Sequence, residues 1–399
     1  MRFSSNIEEV SMSKTAEIAD LALSLREKGH KVINMASGEL SYKPDPAIRK
    51  EACRVINNGE TLYTQIAGLN ELRESISEKL KKDLNVEYKS DEIIVSNGGK
   101  QVIFNALQST INQGDEVIII SPYWVSYPEI VKLCGGKPKV LHSKRSENFS
   151  INTEELEELI TSKTKWLILN SPNNPTGVVY STKNLEKIVR VLNKHPNVWI
   201  LSDDIYEKLN FFASKHINLI NIDANLKRRS LIVNGFSKGY CMTGWRLGYG
   251  AGPKILIDVM KKIQSQSTSA ANTIAQNAAI KALELNDGYF EDIKTSLLKR
   301  REIVTSALSG LKGFSFTFSK GAFYLFPSIK SFLGKRLKDR DIISNDTSFC
   351  LQLLSSEYVA TVPGSSFGSK DSIRISYALS EKDLRVGCKR IKDFCEKLI

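Results

Sequence analysis

The chain has 399 residues, of which 41% are apolar and 25% charged, and its formal net charge is +12. This length suits two domains, and this composition is ordinary for a soluble globular protein. No dense Lys/Arg run is interleaved with aromatic residues, so we expect no nucleic-acid partner. No apolar stretch approaches the roughly 20 residues that span a bilayer, and the N-terminus lacks the apolar core of a secretory signal, so we expect no membrane partner.

The cysteines lie at positions 53, 134, 241, 350, 388 and 395. They form no CxxC pair and no zinc-binding spacing, so we expect no metal site. Isolated cysteines of this kind are typical of free thiols in a reducing compartment. The sequence therefore predicts a cytoplasmic protein.

The middle of the chain alternates short, β-branched apolar runs with helical patterns. The runs predict strands over residues 91–96, 116–121, 166–170, 198–202 and 230–234. Helical patterns follow or separate them, including residues 100–111 and 184–194. Runs that are apolar throughout suit strands buried on both faces. This alternation predicts an α/β fold with a mainly parallel sheet.

Beyond about residue 290 the pattern changes to that of a smaller α+β domain. The predicted elements are a charged helix over 289–311, an alternating aromatic stretch over 314–327, a helix near 347–356, a strand over 372–377 and a helix over 381–398. A further helix over 15–28 is expected to pack against this domain. We therefore predict an N-terminal segment (1–45), a large domain (46–290) and a small C-terminal domain (291–399).

Ligands bind beyond the carboxyl ends of parallel strands, so the residues that follow each strand are the candidates for a site. The first strand is followed by Asn97, Gly98, Gly99 and Lys100, which open a helix. Glycines there let backbone N–H groups approach a phosphate. A tight turn that binds no ligand would also account for these glycines. Their spacing matches neither the dinucleotide-binding fingerprint nor the P-loop.

The next three strands are each followed by side chains that suit a flat, charged ligand. Trp124 follows the second strand and has the shape to stack on a ring, although core packing also explains it. Asn174 lies in the rigid turn SPNNPTG after the third strand. Asp203 and Tyr206 follow the fourth strand, where an aspartate pairs with a protonated ring nitrogen or simply caps a helix.

The fifth strand is followed by FSKGYCMTGWR, which contains Lys238 and, eight residues later, Arg246. A lysine in small, apolar and aromatic surroundings can have a lowered pKa and act as a nucleophile or base. An arginine at this spacing suits bidentate recognition of a phosphate.

Together these strings resemble class I aminotransferases, the fold-type I enzymes that use pyridoxal 5'-phosphate. SKGYCMTGWRLGY, NNPTG, DDIY and RISYALS come in that family's order and spacing, and the similarity runs from about residue 34 to the C-terminus. GGKQVIFNALQ, SPYWVSYPE, QSQSTS and GAFY resemble the bacterial aspartate aminotransferase subgroup most. The resemblance implies a large domain with a mostly parallel seven-stranded sheet flanked by helices, plus a smaller α+β domain.

The resemblance also implies roles around the cofactor ring. Lys238 carries pyridoxal 5'-phosphate as a Schiff base and later moves the proton of the substrate Cα. Asp203 pairs with the pyridine nitrogen, and Trp124 stacks on the ring. Asn174 and Tyr206 bond the phenolic oxygen.

Further roles follow for the phosphate and the substrate. Gly99, Lys100 (through its backbone N–H) and Arg246 hold the phosphate. Tyr63, in YTQIAG, reaches the phosphate of the neighbouring subunit, which implies a homodimer with shared sites.

Amino acid and 2-oxo acid substrates are expected between the ring and a second arginine. Arg374 binds the substrate α-carboxylate, with Gly38 nearby, and Trp124 and Asn174 also line the substrate position.

Three segments depart from the family pattern near the substrate side chain. Residues 39–45 read ELSYKPD where most relatives have EPDF after the glycine, and residues 11–13 read SMS where relatives often show Lys-Pro-Ser. Animal-type enzymes bind the substrate side chain with an arginine. The matching residues here, 265–272, contain no arginine. The resemblance thus supports the cofactor site more firmly than the specificity.

We expect transamination between L-aspartate and 2-oxoglutarate, giving oxaloacetate and L-glutamate. The alternatives are an aminotransferase for aromatic amino acids or prephenate, one of broad specificity, or a β-lyase of the same fold. A non-enzymatic regulator built on this fold is a further alternative.

Overall fold

The computed structural model describes residues 5–12, 14–212, 215–338 and 340–399. Its helices are α1 (Ser5–Glu8), α2 (Lys14–Glu27), α3 (Pro46–Asn57), α4 (Asn70–Leu84), α5 (Gly99–Thr110), α6 (Ser126–Leu133), α7 (Thr153–Leu159), α8 (Thr182–Lys194), α9 (Leu219–Ile222), α10 (Lys254–Ser267), α11 (Thr273–Leu283), α12 (Asp287–Ser309), α13 (Asp346–Glu357) and α14 (Glu381–Glu396). Its strands are β1 (Ile33–Asn34), β2 (Ile93–Ser96), β3 (Glu116–Ser121), β4 (Lys137–His142), β5 (Thr164–Asn170), β6 (Trp199–Asp203), β7 (Ser230–Gly235), β8 (Gly248–Ala251), β9 (Tyr324–Leu325), β10 (Val359–Ala360), β11 (Val362–Pro363) and β12 (Ile373–Ser376).

The largest sheet within the described residues has seven strands in the order β2-β8-β7-β6-β5-β3-β4. The pairs from β4 through β3, β5 and β6 to β7 are parallel, whereas β8 is antiparallel to both β7 and β2. The predicted mostly parallel sheet of an α/β fold is therefore confirmed.

The sheet is buried on both faces, as its uninterrupted apolar runs predict. In β3, Ile118 and Ile120 belong to one hydrophobic cluster, and Val117 and Ile119 belong to another. Because successive side chains of a strand point to opposite faces, both faces need a helical cover. On one face α5 and α10 pack together, and on the other α11 packs against α3 and α4.

The remaining strands lie in two small sheets, one of which pairs a strand near the N-terminus with a strand near the C-terminus. β9, β12 and β11 form an antiparallel sheet, and β1 pairs in parallel with β10. Helix α2 packs against β10 and β11, and α12 packs against α14. The domain limits at residues 45 and 290 stay predictions; the second falls inside the first turn of α12.

Two strands of the large sheet were not predicted from the sequence. β4 is an edge strand with the polar sequence KPKVLH, and β8 reads GYGA, so neither has the apolar, β-branched run of the others. No helix in the described ranges combines the length and the apolar character that a membrane crossing requires.

Candidate active site

A cavity of about 470 Å³ opens beyond the carboxyl ends of β5, β6 and β7. Of the eleven site residues predicted from the sequence, ten line it: Gly38, Gly99, Lys100, Trp124, Asn174, Asp203, Tyr206, Lys238, Arg246 and Arg374. Parallel strands end at the same edge of a sheet, so residues far apart in the chain meet there.

Lys238 follows β7 and points into this cavity. Its Nζ donates a 2.6 Å hydrogen bond to the carbonyl oxygen of Gly38, from a loop 200 residues away. Loss of hydration lowers the pKa of Lys238 to about 8, and the positive charge of Arg374 acts in the same direction. About a tenth of this amine is therefore uncharged at pH 7, and the uncharged form is the nucleophile and base.

Asp203 is the last residue of β6, and its side chain is 5% exposed. Tyr127 donates its hydroxyl proton to Oδ2 at 2.5 Å, and the backbone N–H of Ile205 donates to Oδ1 at 3.2 Å. Burial raises the pKa of Asp203 to about 6, against the effect of these hydrogen bonds. At pH 7 the carboxylate is still mostly ionised, so it suits a cationic partner in the cavity.

Asn174 and Tyr206 lie beside this carboxylate. The backbone N–H of Asn174 donates to Asn170 Oδ1 at 2.9 Å, and Asn170 Nδ2 donates to the carbonyl oxygen of Asp203 at 2.8 Å. These bonds tie the SPNNPTG turn to the end of β6. The hydroxyl of Tyr206 lies 2.9 Å from that of Tyr324.

Arg374, in the middle of β12, is a buried cation. Its Nη1 donates to Asn174 Oδ1 at 2.9 Å and its Nη2 to the carbonyl oxygen of Ala36 at 2.6 Å, while its buried Nε has no partner. No carboxylate in the described part of the chain pairs with it. Because a buried charge without a counter-ion is costly, this site favours a carboxylate ligand. Asn174, Asp203, Tyr206, Lys238 and Arg374 are called the floor of the cavity below.

Another part of the cavity lining suits a phosphate rather than a carboxylate. Helix α5 begins at Gly99 behind Gly98, which has φ +89° and no side chain with which to cap the helix. A Cβ at Gly98 would come within 2.8 Å of Arg246 Nη2, so the guanidinium lies directly against this turn. Helix N-terminal N–H groups beside an arginine favour a phosphate.

Exposed side chains surround the entrance. Lys100 Nζ lies 5.1 Å from the centre of the Trp124 ring, and Glu39 accepts a 2.9 Å hydrogen bond from Thr243. Desolvation, with a smaller effect of Arg246, lowers the pKa of Lys100. Glu39, Lys100, Thr243 and Arg246 are called the mouth of the cavity below.

Tyr63 is the one predicted residue that lies away from this cavity. Its side chain is 95% exposed, and neighbouring Leu62 is 83% exposed. The side chain therefore does not line the site of its own chain.

Sequence reasoning missed the roles of Tyr127 and Tyr324. Tyr127 bonds Asp203 and packs edge-on against Trp124 at 5.3 Å, and Tyr324 contacts Tyr206. Both lie in the strings SPYWVSYPE and GAFY, so their neighbourhood carried a signal. Their partners, 76 and 118 residues away, did not follow from it.

The residues present fit pyridoxal 5'-phosphate. A phosphate suits the α5 N-terminus with Arg246, a protonated ring nitrogen suits the buried Asp203, and an aldehyde suits the amine of Lys238. Gly248 supports this fit, because a Cβ there would come within 2.4 Å of Gly99 N and displace the start of α5. Fold and site thus define an enzyme that uses this cofactor.

Known proteins agree with this class. Residues 30–391 match the family described as Aminotransferase class I and II. A "Probable aspartate/prephenate aminotransferase" of Rhizobium leguminosarum bv. phaseoli is 43% identical over 389 residues, covering 98% of this chain and 97% of that protein. The crystal structure of the aspartate aminotransferase of Rhizobium meliloti matches with a TM-score of 0.95 at 38% identity, covering 100% of both chains. The aspartate aminotransferase of Thermus thermophilus with maleate has a TM-score of 0.91 at 34% identity, covering 98% of this chain and 100% of that one.

The chain belongs to the aminotransferase class I and II family. It is a pyridoxal 5'-phosphate-dependent aminotransferase with the aspartate aminotransferase-like fold, as the resemblance of its motifs implies.

Proposed function

We propose that this aminotransferase acts on L-aspartate and 2-oxoglutarate, with oxaloacetate and L-glutamate as products. The observation that carries the proposal is a pair of cations, Arg374 and Lys100, that line one cavity without a carboxylate partner among the described residues. Aspartate, glutamate and their 2-oxo acids each carry two carboxylates. The names of the relatives, which include aspartate aminotransferases, support the same substrates.

Arg374 is the cation proposed for the α-carboxylate. It is 3% exposed and held by Asn174 and Ala36, so its guanidinium is oriented before a substrate binds. A bidentate pair with a carboxylate fixes two oxygen atoms at once. This contact therefore sets which bond of the substrate Cα is turned toward the base.

Lys100 is the cation proposed for the side-chain carboxylate. It lies at the mouth, over the Trp124 ring, and lines the same cavity as Arg374. Its pKa is lowered by lost water and, to a smaller extent, by the positive charge of Arg246, and the negative charge of a bound carboxylate would act against both effects. The Thermus thermophilus enzyme was solved with maleate, a four-carbon dicarboxylate.

The floor residues are proposed to divide the proton chemistry between them. Pyridoxal 5'-phosphate, when bound, supplies a ring that delocalises the electron pair left on the substrate Cα. Asp203 would hold a proton on the ring nitrogen, and the hydrogen bond from Tyr127 keeps that carboxylate in place. Asn174 and Tyr206 would donate hydrogen bonds to the phenolic oxygen.

Lys238 is the base proposed to move the proton at the substrate Cα. Its pKa near 8 lets Nζ accept a proton and release it again close to neutral pH. General acid–base help of this kind is worth about 10²–10⁴-fold in rate. The same amine would hold the cofactor between turnovers, through a bond to its aldehyde carbon that forms with loss of water.

A donor and acceptor panel with the purified holoenzyme tests the substrates. We expect kcat/KM with 2-oxoglutarate to be at least about tenfold higher for L-aspartate than for L-phenylalanine, L-tyrosine or L-alanine, since one ion pair with a substrate carboxylate can account for tenfold. A preference for aromatic donors would contradict the proposal. Release of a 2-oxo acid with ammonia, in the absence of any acceptor, would point to the lyase instead.

Prephenate is a second candidate, as the amino acceptor. The name of the Rhizobium leguminosarum relative pairs aspartate with prephenate, and prephenate also carries two carboxylates. The same two cations therefore suit it. Formation of the amino product from prephenate and L-aspartate, at a rate comparable with that for 2-oxoglutarate, would establish this dual activity.

A homodimer with shared sites is part of the proposal. The side chains of Leu62 and Tyr63 are exposed on a loop. Thr273 holds this loop by donating a 2.8 Å hydrogen bond from its hydroxyl to the Leu62 carbonyl oxygen. The proposed role of Tyr63 needs a second copy of the chain, whose site this exposed side chain would contact. Sedimentation velocity should give a dimer; a fully active monomer would contradict it.

We also propose a cytoplasmic location. All six cysteines are free thiols, which is the state expected in a reducing compartment. Fractionation of cells that produce the protein would test the location.

A further inference from the structure

Two buried hydroxyl groups connect the large sheet to the small antiparallel sheet. Tyr206 follows β6, and Tyr324 begins β9; their side chains are 3% and 0% exposed. Their oxygen atoms lie 2.9 Å apart, and either one can be the donor. Neither hydroxyl has another hydrogen-bond partner within the described residues, and this contact uses only one of their two protons.

The surroundings of Tyr324 hold its ring in this position. The guanidinium carbon of Arg374 lies 4.5 Å from the ring centre, which is a cation–π distance. A Cβ at Gly38 would lie 3.2 Å from the Tyr324 hydroxyl, so the loop that accepts the Lys238 hydrogen bond also closes over this oxygen. Tyr324 lines the cavity but has no role in the function proposed above.

We propose that Tyr324 is a positioning residue that donates its hydroxyl proton to Tyr206 Oη, so that Tyr206 directs its own proton to the phenolic oxygen of the bound cofactor. The inference rests on the proposed role of Tyr206. A hydroxyl has one proton, and Tyr206 cannot donate both to Tyr324 and to a ligand. Once Tyr206 donates to the ligand, the 2.9 Å contact requires that Tyr324 is the donor in the pair.

The two successive hydrogen bonds, from Tyr324 to Tyr206 and from Tyr206 to the cofactor, are called the relay below. Both hydroxyl protons are available for it. Burial raises the pKa of Tyr206 and of Tyr324, so both hydroxyls keep their protons at neutral pH. The positive charge of Arg374 opposes the increase in pKa at both hydroxyls, so both are better donors than burial alone would make them. Because hydrogen bonds in a chain polarise one another, donation from Tyr324 strengthens donation from Tyr206.

The relay has a consequence that can be measured as a pH midpoint. With the cofactor bound through Lys238, the nitrogen of Lys238 and the phenolic oxygen of the cofactor would share one proton. A hydrogen bond that stabilises negative charge on that oxygen weakens its hold on the shared proton, which is then lost at lower pH. Removing the Tyr324 hydroxyl should therefore raise the pH at which this proton is lost.

The first test is a spectrophotometric pH titration of Tyr324→Phe holoenzyme. We expect the midpoint of the cofactor absorbance change to rise by about half a unit to one unit, the size of one neutral hydrogen bond. Phenylalanine keeps the ring against Arg374 and removes only the donor. An unchanged midpoint would overturn the proposal.

Tyr377→Phe is the matched control. Tyr377 is also buried beside β12, and its hydroxyl lies 2.8 Å from Ser319 Oγ, outside the cavity. We expect this variant to lose similar thermal stability but to keep the wild-type midpoint. If Tyr377→Phe shifted the midpoint as much as Tyr324→Phe does, the effect would be a general one of packing and the proposal would be wrong.

A double-mutant cycle tests the route through Tyr206. In a Tyr206→Phe background, Tyr324→Phe should produce no further shift, because the relay is already interrupted. Equal shifts in both backgrounds would show that Tyr324 acts without Tyr206 and would overturn the relay. A wild-type protein that shows no cofactor absorbance would contradict the proposed function itself, whereas a normal wild-type titration with an unshifted Tyr324→Phe would contradict only this inference.

Discussion

The floor and the mouth of the cavity differ in how they are built. The floor residues Asn174, Asp203 and Tyr206 are buried at 5%, 5% and 3% exposure and are held by hydrogen bonds at the ends of adjacent strands. At the mouth, Glu39, Lys100 and Arg246 are exposed and come from a loop, a helix N-terminus and a turn. The fixed floor suits chemistry common to every substrate, and the open mouth suits discrimination between substrates.

This comparison predicts that floor substitutions reduce activity with all donors, whereas substitutions at the mouth affect donors unequally, except at Arg246, which is assigned to the cofactor phosphate. The variants below separate the two kinds of effect. Each needs kcat and KM for at least two donors, one with a side-chain carboxylate and one without.

The largest effect is expected for Lys238→Ala. Loss of the base should reduce kcat by about 10²–10⁴-fold for every donor, and the absorbance of the attached cofactor should disappear. Steady-state kinetics and an absorbance spectrum measure the two losses. Lys392→Ala, at a half-exposed lysine of α14, is the control and should behave as wild type. Normal turnover of Lys238→Ala would contradict the central assignment.

Arg374→Lys should have the next largest effect. Lysine keeps the charge but loses the planar fork that binds two carboxylate oxygens. We expect KM to rise and kcat/KM to fall by about 10²-fold or more for aspartate and phenylalanine alike, since charged hydrogen bonds are each worth about 1.5–3 kcal/mol. A loss confined to one donor would argue against a role at the α-carboxylate.

Lys100→Met sharpens the contrast between floor and mouth. Methionine keeps the length of the side chain but removes its charge. We expect kcat/KM for aspartate to fall by about tenfold, while that for phenylalanine changes by less than about threefold. Lys392→Met provides the control for loss of one surface charge. Equal losses for both donors would place Lys100 with the floor and contradict its proposed contact with the side chain.

The smallest expected effect is a pH dependence of cofactor uptake. The pKa of Lys238 is lowered to about 8, so its uncharged, nucleophilic fraction grows as pH rises to that value and then levels off. The rate at which the apoenzyme gains cofactor absorbance should rise about fivefold from pH 7 to pH 8 and change little above pH 9. A rate that continues to rise tenfold per pH unit beyond pH 9 would show that Lys238 has the pKa of an ordinary, solvated lysine.

Much of the fold could be predicted because its strands are apolar on both faces. The predicted strand over 116–121 coincides with β3, and the predicted helix over 184–194 lies within α8. β4 and β8 could not be found this way, since an edge strand is half solvated and a Gly-rich strand has few side chains to bury. Their place in the sheet depends on pairing with β3 and β7.

The candidate site divides in the same manner. Asp203, Asn174 and Lys238 could be predicted because each comes directly after a recognisable strand. Arg374 was identified only through a motif, since nothing in its own strand indicates that it meets Asn174, 200 residues away.

The sequence by itself determined local order: which side chains stand at strand ends, and which glycines open a helix beside them. Only the tertiary structure decided the distances and the charges. Tyr324 contacts Tyr206, and Lys238 donates a hydrogen bond to the Gly38 carbonyl oxygen. Both contacts join segments more than 100 residues apart in the chain, which only packing brings together. The pKa of Lys238 near 8 has the same origin, because desolvation depends on what surrounds an amine and not on its neighbours in the chain.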